Sequence, residues 1–255
     1  MSQNNPQSQR QYWEQAGRAG YTNYMYSSGD VEEHVTKRLW GIAVQIGRDL
    51  GLRSDARVLD LGCGDGAFAN RALAQAFGDI DGADFAKAGI DRANAQAPRS
   101  NIKFEVCDLT RADVGSMPHY DGVFLIGILH HVKQQTPAIL TGLRKITPCV
   151  VVLEPNGDHV LRKLLELTPS YRAAREDSFK TGEVVRLFEE AGFRKVVWRR
   201  LNMFPNFTPR PVFRLLHRLE PMIEASPLLR ALCTVNMYGF VRMDSASGGS
   251  LADTN

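Results

Sequence analysis

The chain has 255 residues, 44% of them hydrophobic and 23% charged, with a formal net charge of +3. That length allows one large domain, or one domain with a lid or insertion, and a sizeable core. The charge is too small to argue for nucleic acid, and no apolar run approaches the length of a transmembrane helix. The polar start MSQNNPQSQRQYWEQ has no apolar region of the secretory kind. Four scattered cysteines, Cys63, Cys107, Cys149 and Cys233, form no C-x-x-C pair. They read as buried thiols in a reducing cytoplasm, with no zinc site or disulfide framework.

Residues 1 to about 10 and 244–255 are polar and read as frayed tails. From Gln11 to Leu52 the pattern is helical, with Val31, Val35, Leu39, Ile42 and Ile46 on one stripe. Asp30 is the expected N-cap there, with Glu33 at the capping-box position. Strands and helices then alternate. Arg57–Leu61 reads as a buried strand, 66–77 as a helix, Ile80–Ala83 as a strand and Phe85–Ala95 as a helix. Ile102–Cys107, Gly122–Ile126 and Cys149–Leu153 read as further strands, with a helix over Pro137–Ile146. Such alternation argues for βαβ units and a parallel sheet, and near-continuous apolar strands argue for cover on both faces. The last hundred residues add a helix over Gly182–Glu190, stopped at Gly192, and strands over Lys195–Leu201 and Cys233–Arg242. Between those strands lies a proline-interrupted apolar stripe of Val212, Leu215, Leu216, Leu219, Met222 and Ile223, with Arg210, Arg214, His217 and Arg218 among them.

The stretch VLDLGCGDGAF sets Gly62, Gly64 and Gly66 at alternate positions after a strand and before a helix. Glycines there allow a tight turn and close approach of a ligand to the backbone, and the helix start offers free N–H groups. The spacing fits both G-x-G-x-x-G/A and G-x-G-x-G, so the glycines alone leave dinucleotide and S-adenosylmethionine chemistry open. Asp60 separates them. A carboxylate two residues before the first glycine suits a sulfonium and an ammonium and repels a pyrophosphate.

On these residues the chain resembles the class I S-adenosylmethionine-dependent methyltransferases. VLDLGCGDG resembles their first motif, Gly82-Ala83-Asp84-Phe85 the end of their second strand, and Cys107-Asp108-Leu109 the end of the third. Tyr120 to Val132 resembles the fourth-strand motif, and Ala191-Gly192-Phe193 the signature before the sixth strand. The resemblance implies a Rossmann-like, mostly parallel seven-stranded sheet with helices on both faces and an antiparallel strand near the C-terminus. It also implies an N-terminal helical cover (1–52), a core (53–200), a helical lid (201–232), a final core strand (233–243) and a disordered tail (244–255).

The cofactor implied is S-adenosylmethionine. Gly62, Cys63, Gly64 and Asp60 would form its loop, Asp84 would hold the ribose hydroxyls and Phe85 would pack on the adenine. Asp108 and the Leu109 N–H would meet the adenine ring, and Ile126 would border the transfer site. Tyr26 and Arg38, from the N-terminal helices, are the candidates for the methionine carboxylate. His130 and His131 follow the fourth strand and are candidate bases, since imidazole titrates near neutrality. Glu154, after the fifth strand, is a candidate base or substrate-orienting group, and Arg162, Arg172 and Arg175 are candidates for an anionic substrate. No metal site is expected. The acceptor expected is the oxygen or nitrogen of a small or lipid-like molecule, with peripheral membrane contact through 211–232 as a further expectation. RNA or protein methylation and a dinucleotide-dependent oxidoreductase are the alternatives. Nucleic acid is disfavoured as a partner, because the Arg-rich stretch Arg194-Lys195 and Arg199-Arg200 is only a modest basic patch.

Overall fold

The computed structural model describes residues 6–20, 26, 28–159, 162–163, 167, 177–205 and 208–243; the side chains of 6–10 are outside that description. The aromatic stretch 21–25, Arg172, Arg175 and the tail 244–255 also lie outside it. Two helices precede the sheet, α1 (Pro6–Ala19) and α2 (Gly29–Asp49). Residues 6–10 are thus helical and do not belong to a frayed tail. The cap of α2 is Ser28, with extended backbone. Asp30 sits in the first turn instead, where its carboxylate is held by Arg210 and Arg214 at 2.8 and 2.9 Å.

The strands are β1 (Arg57–Leu61), β2 (Asp79–Asp84), β3 (Ile102–Val106), β4 (Gly122–Ile126), β5 (Cys149–Pro155), β6 (Phe193–Leu201) and β7 (Val235–Arg242). They form one sheet in the order β3-β2-β1-β4-β5-β7-β6. β1 to β5 run parallel, and β7 pairs antiparallel with both β5 and β6. Helices α3 (Ala67–Arg71), α4 (Lys87–Ala95), α5 (Thr136–Ile146) and α6 (Thr181–Glu190) connect them. The helix expected over 66–77 is only α3 followed by a 3-10 turn at Leu73–Gln75.

The period-two alternation of the strands explains the two cores. Val58, Phe124, Val151 and Leu153 join α2, α3 and α4 on one face. Leu59, Leu61, Val123, Leu125, Val150 and Val152 join α5 and α6 on the other. Strands apolar on both sides can sit only between two helical layers, which the connections supply. The chain leaves β1 toward β2 and β3, then crosses back to β4 on the other side of β1. The crevice at the carboxyl ends of β1 and β4 is the topological switch point, where open sheets of this kind bind ligands.

The segment after β6 forms α7 (Arg210–Leu216), a 3-10 turn (His217–Leu219) and α8 (Glu220–Ala225). Pro221 does not break this run. It lies at the start of α8, where a proline costs little, and the 3-10 turn carries the chain over the bond it cannot make.

Candidate active site at the ends of the parallel strands

The loop after β1 is built by left-handed glycines. Gly62, Gly64 and Gly66 have φ of 83°, 58° and 73°. A Cβ on Gly62 would lie 2.4 Å from Ile128 Cγ1, and one on Gly66 would lie 2.6 Å from Ala93 Cβ. Two of the three glycines are therefore demanded by packing as well as by backbone conformation. The loop is pinned to β2, since the Gly62 and Cys63 N–H groups both donate to the Ala83 carbonyl at 2.7 and 3.1 Å. Cys63 is buried, and that burial pushes its thiol well up. It is a wall of the loop and no nucleophile.

Asp84 ties the second strand to the loop. One carboxylate oxygen accepts the Gly64 N–H at 3.0 Å and the other accepts the Ala86 N–H at 2.8 Å. Burial pushes its pKa up to about 6, against the pull of those N–H groups, and Glu14 adds repulsion. Asp60 sits in β1 between Gly82 and Phe124 and is 1% exposed. Its Oδ2 is buried with no hydrogen-bond partner. Burial first, and Asp84 second, push its pKa up to about 8. A native fold seldom leaves a buried carboxylate oxygen unmet, and such an atom at a glycine loop asks for a cation from outside the chain. The ammonium of S-adenosylmethionine is such a cation, so these residues fit that cofactor.

The other expected contacts are placed less directly. Phe85 is half-buried at the end of β2, and Leu109 is buried below the third strand's end. The Asp108 carboxylate accepts from the Thr110 N–H and hydroxyl at 3.0 and 2.6 Å. Ile126 closes β4, half-buried. Tyr26 packs on the α2-side core, and burial pushes its hydroxyl up to about 12. Arg38 turns away to the cover, pairing with Glu224 and lying 3.5 Å from Glu220.

After β4 the chain makes a 3-10 turn, Leu129–His131. Glu154, 1% exposed, lies beneath it and accepts the Leu129 N–H at 2.8 Å and the His130 N–H at 3.3 Å. The same carboxylate stands 2.8 Å from His130 Nδ1. A carboxylate already receiving two N–H groups acts as acceptor, so Nδ1 carries the proton and Nε2 is the basic nitrogen. The expectation that Glu154 meets substrate is therefore corrected: it is enclosed and orients His130. His130 is itself buried, and its ring lies 3.9 Å from the half-buried ring of His131.

The first helix completes the site through Trp13 and Glu14, which the sequence reading of an N-terminal helical cover did not single out. Trp13 meets His131 edge-on at 4.8 Å. Glu14 accepts the Lys87 and Ala88 N–H groups, each at 3.1 Å, and so caps α4. Gly17 lets α1 cross α4 closely, since a Cβ there would be 2.8 Å from the Gly89 nitrogen. α1 thus bridges the elements that follow β2 and β4. The signal available was Trp13-Glu14 in an otherwise polar segment; nothing local says what they touch.

Residues 58–157 match the family described as a methyltransferase domain. The ubiquinone biosynthesis O-methyltransferase of Rickettsia bellii is 30% identical over 95 residues, 37% of this chain and 39% of that protein. The 27-O-demethylrifamycin SV methyltransferase of Amycolatopsis mediterranei is 29% identical over 139 residues, 53% of this chain and 48% of that protein. The chain matches less than half the length of these curated relatives. Among solved structures, the magnesium protoporphyrin IX methyltransferase of Synechocystis, with bound S-adenosylhomocysteine, superposes with a TM-score of 0.57. It is 17% identical and covers 84% of this chain and 85% of its own. The [4+2]-cyclase SpnF has a TM-score of 0.63 at 12% identity, covering 92% of this chain and 94% of its own. Strand order and glycine loop define the class, a Rossmann-like methyltransferase sheet. The family match covers residues 58–157, and that core resembles the S-adenosylmethionine-dependent methyltransferases.

Proposed function

We propose that the protein transfers a methyl group from S-adenosylmethionine to an oxygen of a small-molecule acceptor. The observation that carries this reading is the buried, partnerless Asp60 Oδ2 under a three-glycine loop. The fold alone would not do so, because a cyclase shares it. The oxygen acceptor rests on the relatives, an O-methyltransferase of ubiquinone biosynthesis and a rifamycin methyltransferase. The same carboxylate speaks against a dinucleotide, which would bring a pyrophosphate to it.

When bound, S-adenosylmethionine supplies an electrophilic methyl group on a sulfonium. In this reading Asp60 holds the ammonium, Asp84 the ribose hydroxyls, and Phe85, Asp108 and Leu109 the adenine. His131 accepts the acceptor's hydroxyl proton. It is the half-buried member of the pair, held between Trp13 and a His130 ring that Glu154 locks in one tautomer. Much of the remaining catalysis is orientation, because an in-line displacement needs reactants aligned more than it needs a base.

Calorimetric titration with S-adenosylhomocysteine, with NADH in parallel, tests the cofactor. Binding of the first alone is expected, and binding of NADH alone would overturn the reading. Turnover of a phenolic acceptor panel by His131→Ala tests the base. A fall of at least about a hundredfold with unchanged cofactor affinity is expected. A fall within about twofold would remove His131 as a base.

A further inference from the structure

The run Arg210–Ala225 carries two apolar stripes where a surface helix needs one. The inward stripe carries Phe213 and Leu216, which join the core of α2 and the end of β6, and Ile223, which is buried. A second stripe faces outward. Val212, Leu215, Leu219 and Met222 recur at helical spacing and are 44%, 77%, 43% and 68% exposed. Leu228 and Leu229 continue it at 86% and 47% exposed. Most of the large apolar side chains that the described residues expose fall in this one segment. The sequence reading merged the two stripes into one. The structure separates them, and the core explains only the inward one.

The charges sort the same way. Residues 208–233 contain two acidic groups, Glu220 and Glu224, and both turn inward. Glu220 takes His34 at 2.7 Å and the Met203 N–H at 2.9 Å, and Glu224 takes Arg38 and the Asn202 N–H. The outer side is left with Arg210, Arg214, Arg218 and Arg230, all exposed, with Arg210 and Arg214 sharing Asp30 and Arg230 lying over the Trp198 ring at 5.8 Å. An outward apolar stripe flanked by arginines, with every acid of the segment withdrawn and neutralised, is complementary to a bilayer that carries negative charge.

We propose that the outer face of 212–232 docks on the surface of an anionic membrane, its leucines entering the headgroup boundary and Arg218 and Arg230 meeting lipid phosphates. No described helix is long and apolar enough to cross a membrane, so the contact is peripheral. This docking stands apart from the methyl-transfer reading, since neither stripe nor arginines belong to the cofactor site.

The test is co-sedimentation of the full chain with phosphatidylcholine vesicles, with and without phosphatidylglycerol. Binding only to the anionic vesicles, weakening as salt rises, is expected. Leu215→Asp with Met222→Asp should abolish it, and Arg218→Gln or Arg230→Gln should each weaken it about fivefold. Outward side chains make little packing, so S-adenosylhomocysteine affinity and thermal midpoint should hold in these variants, separating docking from folding and from the cofactor reading. Failure to bind anionic vesicles, or equal binding to neutral ones, would overturn the proposal. So would a concentration-dependent dimer in sedimentation velocity that Leu215→Asp with Met222→Asp dissolves, because a second copy would then be what covers the stripe.

Discussion

Asp60 allows a quantitative test of the cofactor site in the absence of any acceptor. Its carboxyl is pushed from 3.8 up to about 8 in the folded protein, whereas an unfolded Asp titrates near 3.9. Between those values the folded protein holds a proton that the unfolded chain has lost. Stability of the ligand-free protein therefore falls as pH rises through this window and levels off above about pH 8. At about 1.4 kcal/mol per pH unit, with the slope flattening near the folded value, the loss between about pH 6 and about pH 8 is about 2 kcal/mol. For a chain of this size that is a fall in Tm of roughly 4–8 °C. Asp60→Asn cannot ionise and should flatten this component of the profile. Near neutral pH an arriving ammonium ionises Asp60, so S-adenosylhomocysteine binding should release a proton. Titration calorimetry in two buffers of different ionisation enthalpy measures it directly. An Asp60→Asn protein with the wild-type pH profile and unchanged affinity, or a wild-type protein that releases no proton on binding, would refute the assignment.

Other perturbations follow from the same geometry. Glu154→Gln keeps an acceptor for the Leu129 N–H but offers an amide to His130 Nδ1; turnover should drop more than about tenfold with cofactor affinity held. Glu154→Ala removes the buried acceptor of the Leu129 and His130 N–H groups and of His130 Nδ1, and should cost at least about 2 kcal/mol in denaturant titration. Gly62→Ala combines a left-handed φ with a clash on Ile128; a loss of at least about 2 kcal/mol is expected, and a loss under about 0.5 kcal/mol would mean that the loop relaxes freely. Asp84→Ala removes the acceptor of the Gly64 N–H and should weaken S-adenosylhomocysteine by about 1–3 kcal/mol. Unchanged affinity would take Asp84 out of the site.

The seven strands, the buried character of the central ones and the glycine loop were legible along the chain. Arg57–Leu61 and Gly122–Ile126 have the bounds that apolar runs indicate, because a strand buried on both faces must be apolar at every step. Asp60 stood out against such a run for the same reason. Boundaries set by caps were less legible. Asp30 is as good an N-cap by type as Ser28, and two arginines 180 and 184 residues away claimed its carboxylate.

What the sequence determined by itself is local: which segments can be strand or helix, where the backbone must turn left-handed, and that a carboxyl group stands before the loop. These depend on side-chain period and backbone sterics within a few residues. Tertiary structure alone decided the partners. It brought Glu154 beneath His130, Trp13 onto His131, and Arg38 to Glu224 across 186 residues. It also decided which of two apolar stripes in 212–223 met the core. Such pairings are chosen by how layers pack and by which buried charges must be neutralised, and no period in the chain encodes them.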